Sequence, residues 1–285
     1  MLIEERARAK INLTLKVLGR RADGYHELAS VVAFASAADR VVLDLSRPPG
    51  VDVTGPFAPQ LPTEVLIART LTLLATREPR LKLGAVTLDK RLPVAAGVGG
   101  GSADAAAVLR AVRNANPDSA AQVDWHGIAK ELGADVPVCL ENRLTYMTGI
   151  GDRLQPLPPL REPIAAVLIN PQVPVPADKT AQVFKALAAP ELGSTLTPTA
   201  PLLAALPDIS ATIRSIGNDL EEPARRVMPV VGDVMHALRK HPGCRIAAMS
   251  GAGPTCFGLF ADAFVAATQL KAAHPSWWIE AVTLA

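Results

Sequence analysis

Residues 93–104 read Pro-Val-Ala-Ala-Gly-Val-Gly-Gly-Gly-Ser-Ala-Asp, so that Gly97, Gly99, Gly100 and Gly101 fall within five positions. Glycines accept positive φ and let a ligand come close to the backbone, while a helix start offers unpaired N–H groups at its positive dipole end. Set between a strand and an Ala-rich helix, such a loop suits an anion, and phosphate is its natural guest. It is not a Walker loop, since no Gly-Lys-Ser/Thr closes it, and it lacks the G-x-G-x-x-G spacing of dinucleotide folds.

Tyr25 and His26 form a second point of interest, because a chain with two tyrosines places one of them beside a histidine. A tyrosine ring can stack on a pyrimidine and a histidine can read the hydrogen-bonding edge of the base, although a loop histidine is also an ordinary surface residue. Phe184 follows Thr180 by one helical turn, so the two share a face; a phenylalanine there is equally at home in the core. Asp135, in Gly-Ala-Asp-Val-Pro, reads either as an acid with a task or as a turn residue bonded to its own backbone.

The elements that must hold these residues mix strands and helices without a repeat. Leu13, Leu15 and Val17 alternate with Asn12, Thr14 and Lys16 as in a half-buried strand, with a turn over 19–24. Further strands are predicted over 30–35, 40–45 and 81–88, with a helix over 64–75. A helix over 103–114 is opened by Ser102 as N-cap with Asp104 in its first turn, and a helix over 124–132 is stopped by Gly133 in a left-handed cap. Proline-rich Gln155 to Pro163 marks the domain boundary, giving domains 1–158 and 159–285. Beyond it come a strand over 164–169, a helix over 180–189, a loose stretch over 190–207 and a helix over 223–240. Strands over 244–249 and 255–260 and a helix over 261–273 complete an α+β sandwich of the ferredoxin-like kind.

Composition narrows the partners. With 29 Lys plus Arg against 27 Asp plus Glu, the chain lacks a global charge for nucleic acid or acidic membranes, and 4% aromatics leaves little for a base-stacking platform. Small molecules are the expected ligands. Cys139, Cys244 and Cys256 lack metal or disulfide spacing and read as reduced core residues. Alternating charge at the N-terminus does not suit a signal peptide, and no apolar run reaches membrane-spanning length, so a soluble, cytoplasmic protein is expected.

Taken together, Pro93-x-x-x-Gly97-Val-Gly99-Gly-Gly-Ser102-x-Asp104-Ala-Ala resembles the ATP-binding motif of the GHMP kinases. Ala9-Lys10-Ile11-Asn12-Leu13, Gly19-Arg-Arg-Ala-Asp-Gly-Tyr25-His26-Glu27-Leu28 and Leu132-Gly-Ala-Asp135-Val-Pro137 are similar to segments of one branch, the 4-diphosphocytidyl-2-C-methyl-D-erythritol kinases. Gly149-Ile-Gly151-Asp152, Asn218-Asp-Leu-Glu221 and Ser250-Gly-Ala-Gly-Pro-Thr255 extend the likeness along the chain. Two stretches depart from it: Pro174-Val-Pro-Ala-Asp-Lys-Thr180 is longer than the family's segment, and Glu64-Val65-Leu66-Ile67 lacks an Asn before the Leu.

The resemblance implies a two-domain α+β GHMP kinase fold, with an N-terminal ribosomal-protein-S5-domain-2-like ATP domain and a C-terminal ferredoxin-like sandwich. It implies ATP bound by Pro93, Val94, Ala95, Ala96, Gly97, Val98, Gly99, Gly100, Gly101, Ser102 and Ala103, and Mg2+ held in part by Ser102. It makes Lys10 and Asp135 the catalytic pair, in which an adjacent ammonium favours the ionised carboxylate. Asn12, Tyr25, His26, Thr180 and Phe184 then bind the acceptor, with Tyr25 and Phe184 sandwiching a cytosine. The implied reaction is phosphorylation of the acceptor's 2-hydroxyl in non-mevalonate isoprenoid synthesis. The rivals are a GHMP kinase for homoserine or mevalonate and a non-catalytic nucleotide-binding protein.

Overall fold

The computed structural model describes residues 1–62, 65–192 and 208–285, and the chain divides into two compact units. The first comprises Met1–Lys10, Ala37–Val94 and Gly99–Asn142; the second comprises Ile11–Ser36, Ala95–Val98 and Arg143–Ala285. Strands β1 (Leu2–Asn12) and β3 (His26–Asp44) contribute residues to both.

In the first unit, residues 40–44 of β3 run antiparallel to β5 (Ala85–Asp89), and β4 (Gly50–Thr54) runs parallel to β5. Five helices accompany these strands: α1 (Leu66–Arg77), α2 (Gly100–Ala115), α3 (Pro117–Ala120), α4 (Trp125–Leu132) and α5 (Val136–Glu141). Helix α2 packs against α1, α4 and α5, and its alanines at 103, 105, 106, 107 and 111 are buried. Small side chains around the helix let its neighbours close in from several sides, so it needs no polar face. Buried Arg110 extends from α2 to the carbonyl oxygens of Arg6 and Cys139 and to Glu5, fixing α2 to β1 and α5.

The second unit contains β8 (Ile164–Asn170), β9 (Ile246–Met249), β10 (Cys256–Leu259) and β11 (Trp278–Leu284). Their order is β11-β8-β10-β9, with every neighbour antiparallel, which is the arrangement of a ferredoxin-like sandwich. On it pack α6 (Lys179–Leu187), α7 (Ile209–Ile216), α8 (Glu221–Val227), α9 (Val230–Lys240) and α10 (Ala263–Ala273). Val231, Val234, Met235 and Leu238 of α9 and Ala266, Ala267 and Leu270 of α10 supply the apolar stripe that meets Val167 and Ile169 of the sheet. A second group of strands joins residues 26–32 of β3 to β2 (Lys16–Arg20) and to β6 (Thr145–Gly149), which continues to β7 (Arg153–Pro156).

Several expectations from sequence are corrected. The first strand is residues 2–12 and not the alternating run at 12–17; alternation of charge with alanine along 6–10 marks it. The two strands expected at 30–35 and 40–45 are one strand of 19 residues. Helix α2 begins at Gly100 with Gly99 as its N-cap at φ 64°, so Ser102 lies inside the helix and Asp104 lies beyond its first turn. Gly133 ends α4 in an extended conformation, φ 162°, and Asp135 sits at the N-cap of α5. The helix expected over 223–240 is broken at Met228 and Pro229 into α8 and α9, since proline cannot donate within a helix. Part of the proline-rich stretch is strand β7, which its prolines argued against. Glu64, where a helix was expected to start, and residues 193–207 of the loose stretch lie outside the described residues. The cysteines are free, with Cys139 and Cys256 buried and Cys244 half-buried; burial pushes the Cys139 thiol up to about 12. Among the described residues no helix is long and apolar enough to cross a membrane.

Candidate active site

Lys10 lies near the end of β1 and Asp135 in the short link from α4 to α5, and the fold brings them together: Lys10 Nζ donates to Asp135 Oδ1 at 2.6 Å. The lysine side chain is 6% exposed and the aspartate 39%, so the cation is enclosed while the carboxylate keeps an open face. Burying a lysine is tolerable only when it is paired, and a carboxylate open on one side can meet a hydroxyl. Gly99, at the mouth of α2, lies against the same lysine: a Cβ there would stand 3.3 Å from Lys10 Cβ. The glycine is therefore required twice, for its positive φ and for the closeness of the lysine stem. Ala103 N donates to Gly99 O, which leaves the N–H groups of Gly100, Gly101 and Ser102 outside the helical ladder and available to an anion.

Beneath this loop lies a buried cluster that sequence reasoning missed. Lys90 Nζ donates to Asp39 Oδ2 at 2.6 Å and to Asp104 Oδ2 at 2.7 Å, and Asp39 Oδ1 also accepts from the N–H groups of Arg91 and Leu92. Burial pulls the Lys90 ammonium down, but the charges of Asp104 and Asp39 outweigh it and hold its pKa above the ordinary lysine value. Burial pushes Asp104 well above the usual carboxylate range against the pull of Lys90, and the Asp39 charge adds to the rise. A Cβ on Gly100 would stand 3.2 Å from Lys90 Nζ, so the cluster braces the first turn of α2 from below. Asp104 is thus committed to Lys90. A single lysine at a strand end carries no sequence signal of this kind.

In the second unit, Tyr25, His26, Thr180 and Phe184 line one cavity of about 850 Å³, with Arg20, Leu28 and Ile150 among its other walls. The sequence reading named four residues separated by more than 150 positions, and the fold gathers all four. The Gly-Tyr-His turn is built by Asp23, whose carboxylate accepts from Tyr25 N, and by Arg21 N donating to Tyr25 O. Tyr25 is 61% exposed, an open aromatic face at the rim. His26 and Phe184 stack with ring centroids 4.7 Å apart, too close for a base to enter between them. Burial, aided by the Arg20 charge, lowers the His26 pKa and keeps its ring neutral near pH 7, with one nitrogen donating and one accepting.

Asn12 is absent from the cavity wall. It is buried, with its amide nitrogen on Ser30 Oγ at 2.8 Å and its backbone N–H on Ser250 Oγ at 3.1 Å, while its amide oxygen has no partner. A buried orphan acceptor is costly and waits for a donor. The Ser250–Thr255 turn lies against the start of the glycine loop: Thr255 N donates to Ala96 O at 3.1 Å, and a Cβ on Gly97 would overlap the Gly253 carbonyl. Pro93, Val94, Ala95, Ala96 and Val98 carry the chain between strand and helix, with Ala96 and Val98 buried beneath it.

The chain is similar to known proteins. Residues 66–143 match the GHMP kinases N terminal domain and residues 201–276 the GHMP kinases C terminal domain. A 4-diphosphocytidyl-2-C-methyl-D-erythritol kinase of Methylobacterium radiotolerans is 50% identical, over 98% of this chain and 97% of its own. One from Rhodopseudomonas palustris is 48% identical, over 99% and 98%. The chain belongs to the 4-diphosphocytidyl-2-C-methyl-D-erythritol kinase family of the GHMP kinases. A crystal structure of a 4-(cytidine 5'-diphospho)-2C-methyl-D-erythritol kinase superimposes with a TM-score of 0.77 at 37% identity, covering 99% of both chains. As a GHMP kinase the chain is an ATP-dependent small-molecule kinase.

Proposed function

We propose that this GHMP kinase transfers the γ-phosphoryl group of ATP to the 2-hydroxyl of 4-diphosphocytidyl-2-C-methyl-D-erythritol, a step of non-mevalonate isoprenoid synthesis. The observation that carries the acceptor is the single cavity lined by Tyr25, His26, Thr180 and Phe184, which offers a base an aromatic face and a neutral imidazole. Acceptors such as homoserine or mevalonate have no base to use it.

In this reading Asp135 accepts or orients the hydroxyl proton, and Lys10 holds the carboxylate and meets the negative charge that develops on the transferring group. The free N–H groups at the start of α2 receive phosphate oxygens, and the Asn12 amide oxygen takes a hydrogen bond from the acceptor. Magnesium fits the site in part: Ser102, half-buried in the first turn of α2, offers a hydroxyl, whereas Asp104 is committed to Lys90 and is not available as a ligand. When bound, the ion would neutralise charge on the β- and γ-phosphates. The boundary between residues 158 and 159, which differs from the division into compact units, and a cytoplasmic location are part of the same proposal.

The test is ADP release from ATP and Mg2+ with the cytidylyl acceptor, free methylerythritol phosphate, homoserine and mevalonate offered in parallel. Turnover with the first alone is the expected result. Turnover with homoserine or mevalonate would reject the acceptor, and ATP binding without turnover on any of them would reject catalysis.

A further inference from the structure

The lengthened segment before Thr180 ends in a residue that the reaction as described does not use. Lys179 opens α6, its side chain buried, and its Nζ donates to the carbonyl oxygens of Gly253, in a short contact, and of Ala95 at 3.3 Å. No carboxylate pairs with it among the described residues. Its position is doubly unfavourable for a cation, since it is removed from water and sits at the positive end of a helix. A structural lysine would gain by pointing outward from the first turn of a helix, as the exposed Asp178 and Thr180 on either side do.

Its two acceptors lie on the segments that meet at the start of the glycine loop. Ala95, at φ 54°, begins the loop's turn, and Gly253 packs directly on Gly97. Thr255 N on Ala96 O and Ser250 Oγ on Gly97 O join the same two segments. The next residue along α6 is Thr180 and one turn further is Phe184, both in the wall of the cavity. Lys179 is therefore the direct polar link from the helix that lines the acceptor cavity to the Ala95–Val98 part of the phosphate loop. An ammonium on a carbonyl oxygen also polarises that peptide, which makes Ala96 N–H a stronger donor to an anion.

We propose that Lys179 is a positioning residue that couples the acceptor cavity to the phosphate loop, holding the Ala95 and Gly253 carbonyls so that Ala95–Val98 keeps the conformation the nucleotide phosphates require. The proposal rests on the kinase reading above. Burial alone lowers the Lys179 pKa to about 8, so the link weakens as pH rises through that value. The charged groups nearest along the chain and on the packed helix are otherwise engaged. Asp178 accepts from Gln182, Glu221 pairs with Arg239, Glu222 with Arg225, and Arg226 donates to the Ala186 carbonyl; Lys185 is on the exposed side of α6.

The experiment measures steady-state kinetics from pH 6 to 10 for the wild type and Lys179→Met, with CDP binding and thermal unfolding on both. Wild-type turnover of the cytidylyl acceptor checks the kinase reading on its own, before the variant is considered. The expected result is an alkaline limb in wild-type kcat/KM for ATP near pH 8. The variant is expected to lose about tenfold or more in that parameter, to lack the limb, and to bind CDP within about threefold of wild type. A folded variant that keeps most of its kcat/KM for ATP, or that loses activity with the limb still in place, overturns the proposal. If Lys179→Met does not fold, the wild-type profile decides, and a flat kcat/KM across pH 7–9 overturns it.

Discussion

Lys10 is enclosed against a carboxylate 2.6 Å away, whereas Tyr25 in the cavity of the other unit is 61% exposed and touches its own turn through backbone alone. The first region invests in buried charge: Lys10 with Asp135, and below the same helix start Lys90 with Asp39 and Asp104. The second brings rings and one neutral imidazole together, with Arg20, Asp178 and Lys185 also in its wall. Charges held away from water act strongly on a transferring phosphoryl group but discriminate little between alcohols, while an aromatic cavity discriminates without affecting the reacting bond. In the function proposed above, chemistry and choice of acceptor fall to different side chains, and the division can be attacked from either side.

The largest effect is expected at Lys10. Lys10→Met should lower kcat by roughly 10² to 10³-fold, the scale of removing one preorganised charge contact, and leave acceptor KM within about threefold. A loss confined to KM would erase the distinction between the regions.

The buried cluster sharpens the comparison through stability. Asp39 receives two backbone N–H groups as well as Lys90, whereas Asp104 receives Lys90 alone, its other oxygen unpartnered. Asp39 is thus the more fully hydrogen-bonded carboxylate, and Asp104 the one whose pKa burial raises. Asp39→Asn is predicted to cost about 3–5 kcal/mol in urea unfolding, as breaking a buried pair does. Asp104→Asn, a neutral near-isostere, is predicted to cost under about 1 kcal/mol. Equal losses would contradict the difference in hydrogen bonding between the two carboxylates.

In the acceptor cavity, Tyr25→Ala should raise acceptor KM by about tenfold, in line with one base-stacking contact, with kcat and the KM for ATP little changed. An unchanged acceptor KM would remove the base from the cavity. The smallest effect concerns His26. Its pKa lies below the ordinary histidine value of about 6.5, so it is neutral at pH 7 and becomes a cation beside Arg20 only as pH falls through that lowered value. Acceptor KM should therefore rise by about two- to threefold between pH 7 and 5, and His26→Asn should flatten the rise. A rise toward alkaline pH instead would contradict the neutral-ring assignment.

Much of this was legible in the sequence, for reasons that differ by residue. The glycine loop, the Gly-Tyr-His turn and the Thr180–Phe184 spacing are local patterns, and local patterns survive without a fold. The Lys10–Asp135 pair spans 125 positions and was assigned by likeness to a family, not by spacing; the ion pair itself is visible only once β1 and the α4–α5 link are folded. Lys90, Asp39 and Lys179 gave no signal, because an isolated charged residue in sequence is ordinarily a solvated one and only burial distinguishes it. Ser102 was misjudged as a cap because its residue type suits an N-cap, while Gly99 reaches the left-handed conformation that the loop demands three residues earlier.

The central claim, that chemistry and acceptor recognition reside in separate side chains, is tested most directly by titrating Asp135→Asn with 4-diphosphocytidyl-2-C-methyl-D-erythritol in a calorimeter and measuring its turnover in parallel. Acceptor affinity within about threefold of wild type together with a kcat lower by roughly 10³-fold is the predicted result. Lost affinity, or turnover retained at a substantial fraction of wild type, would contradict it.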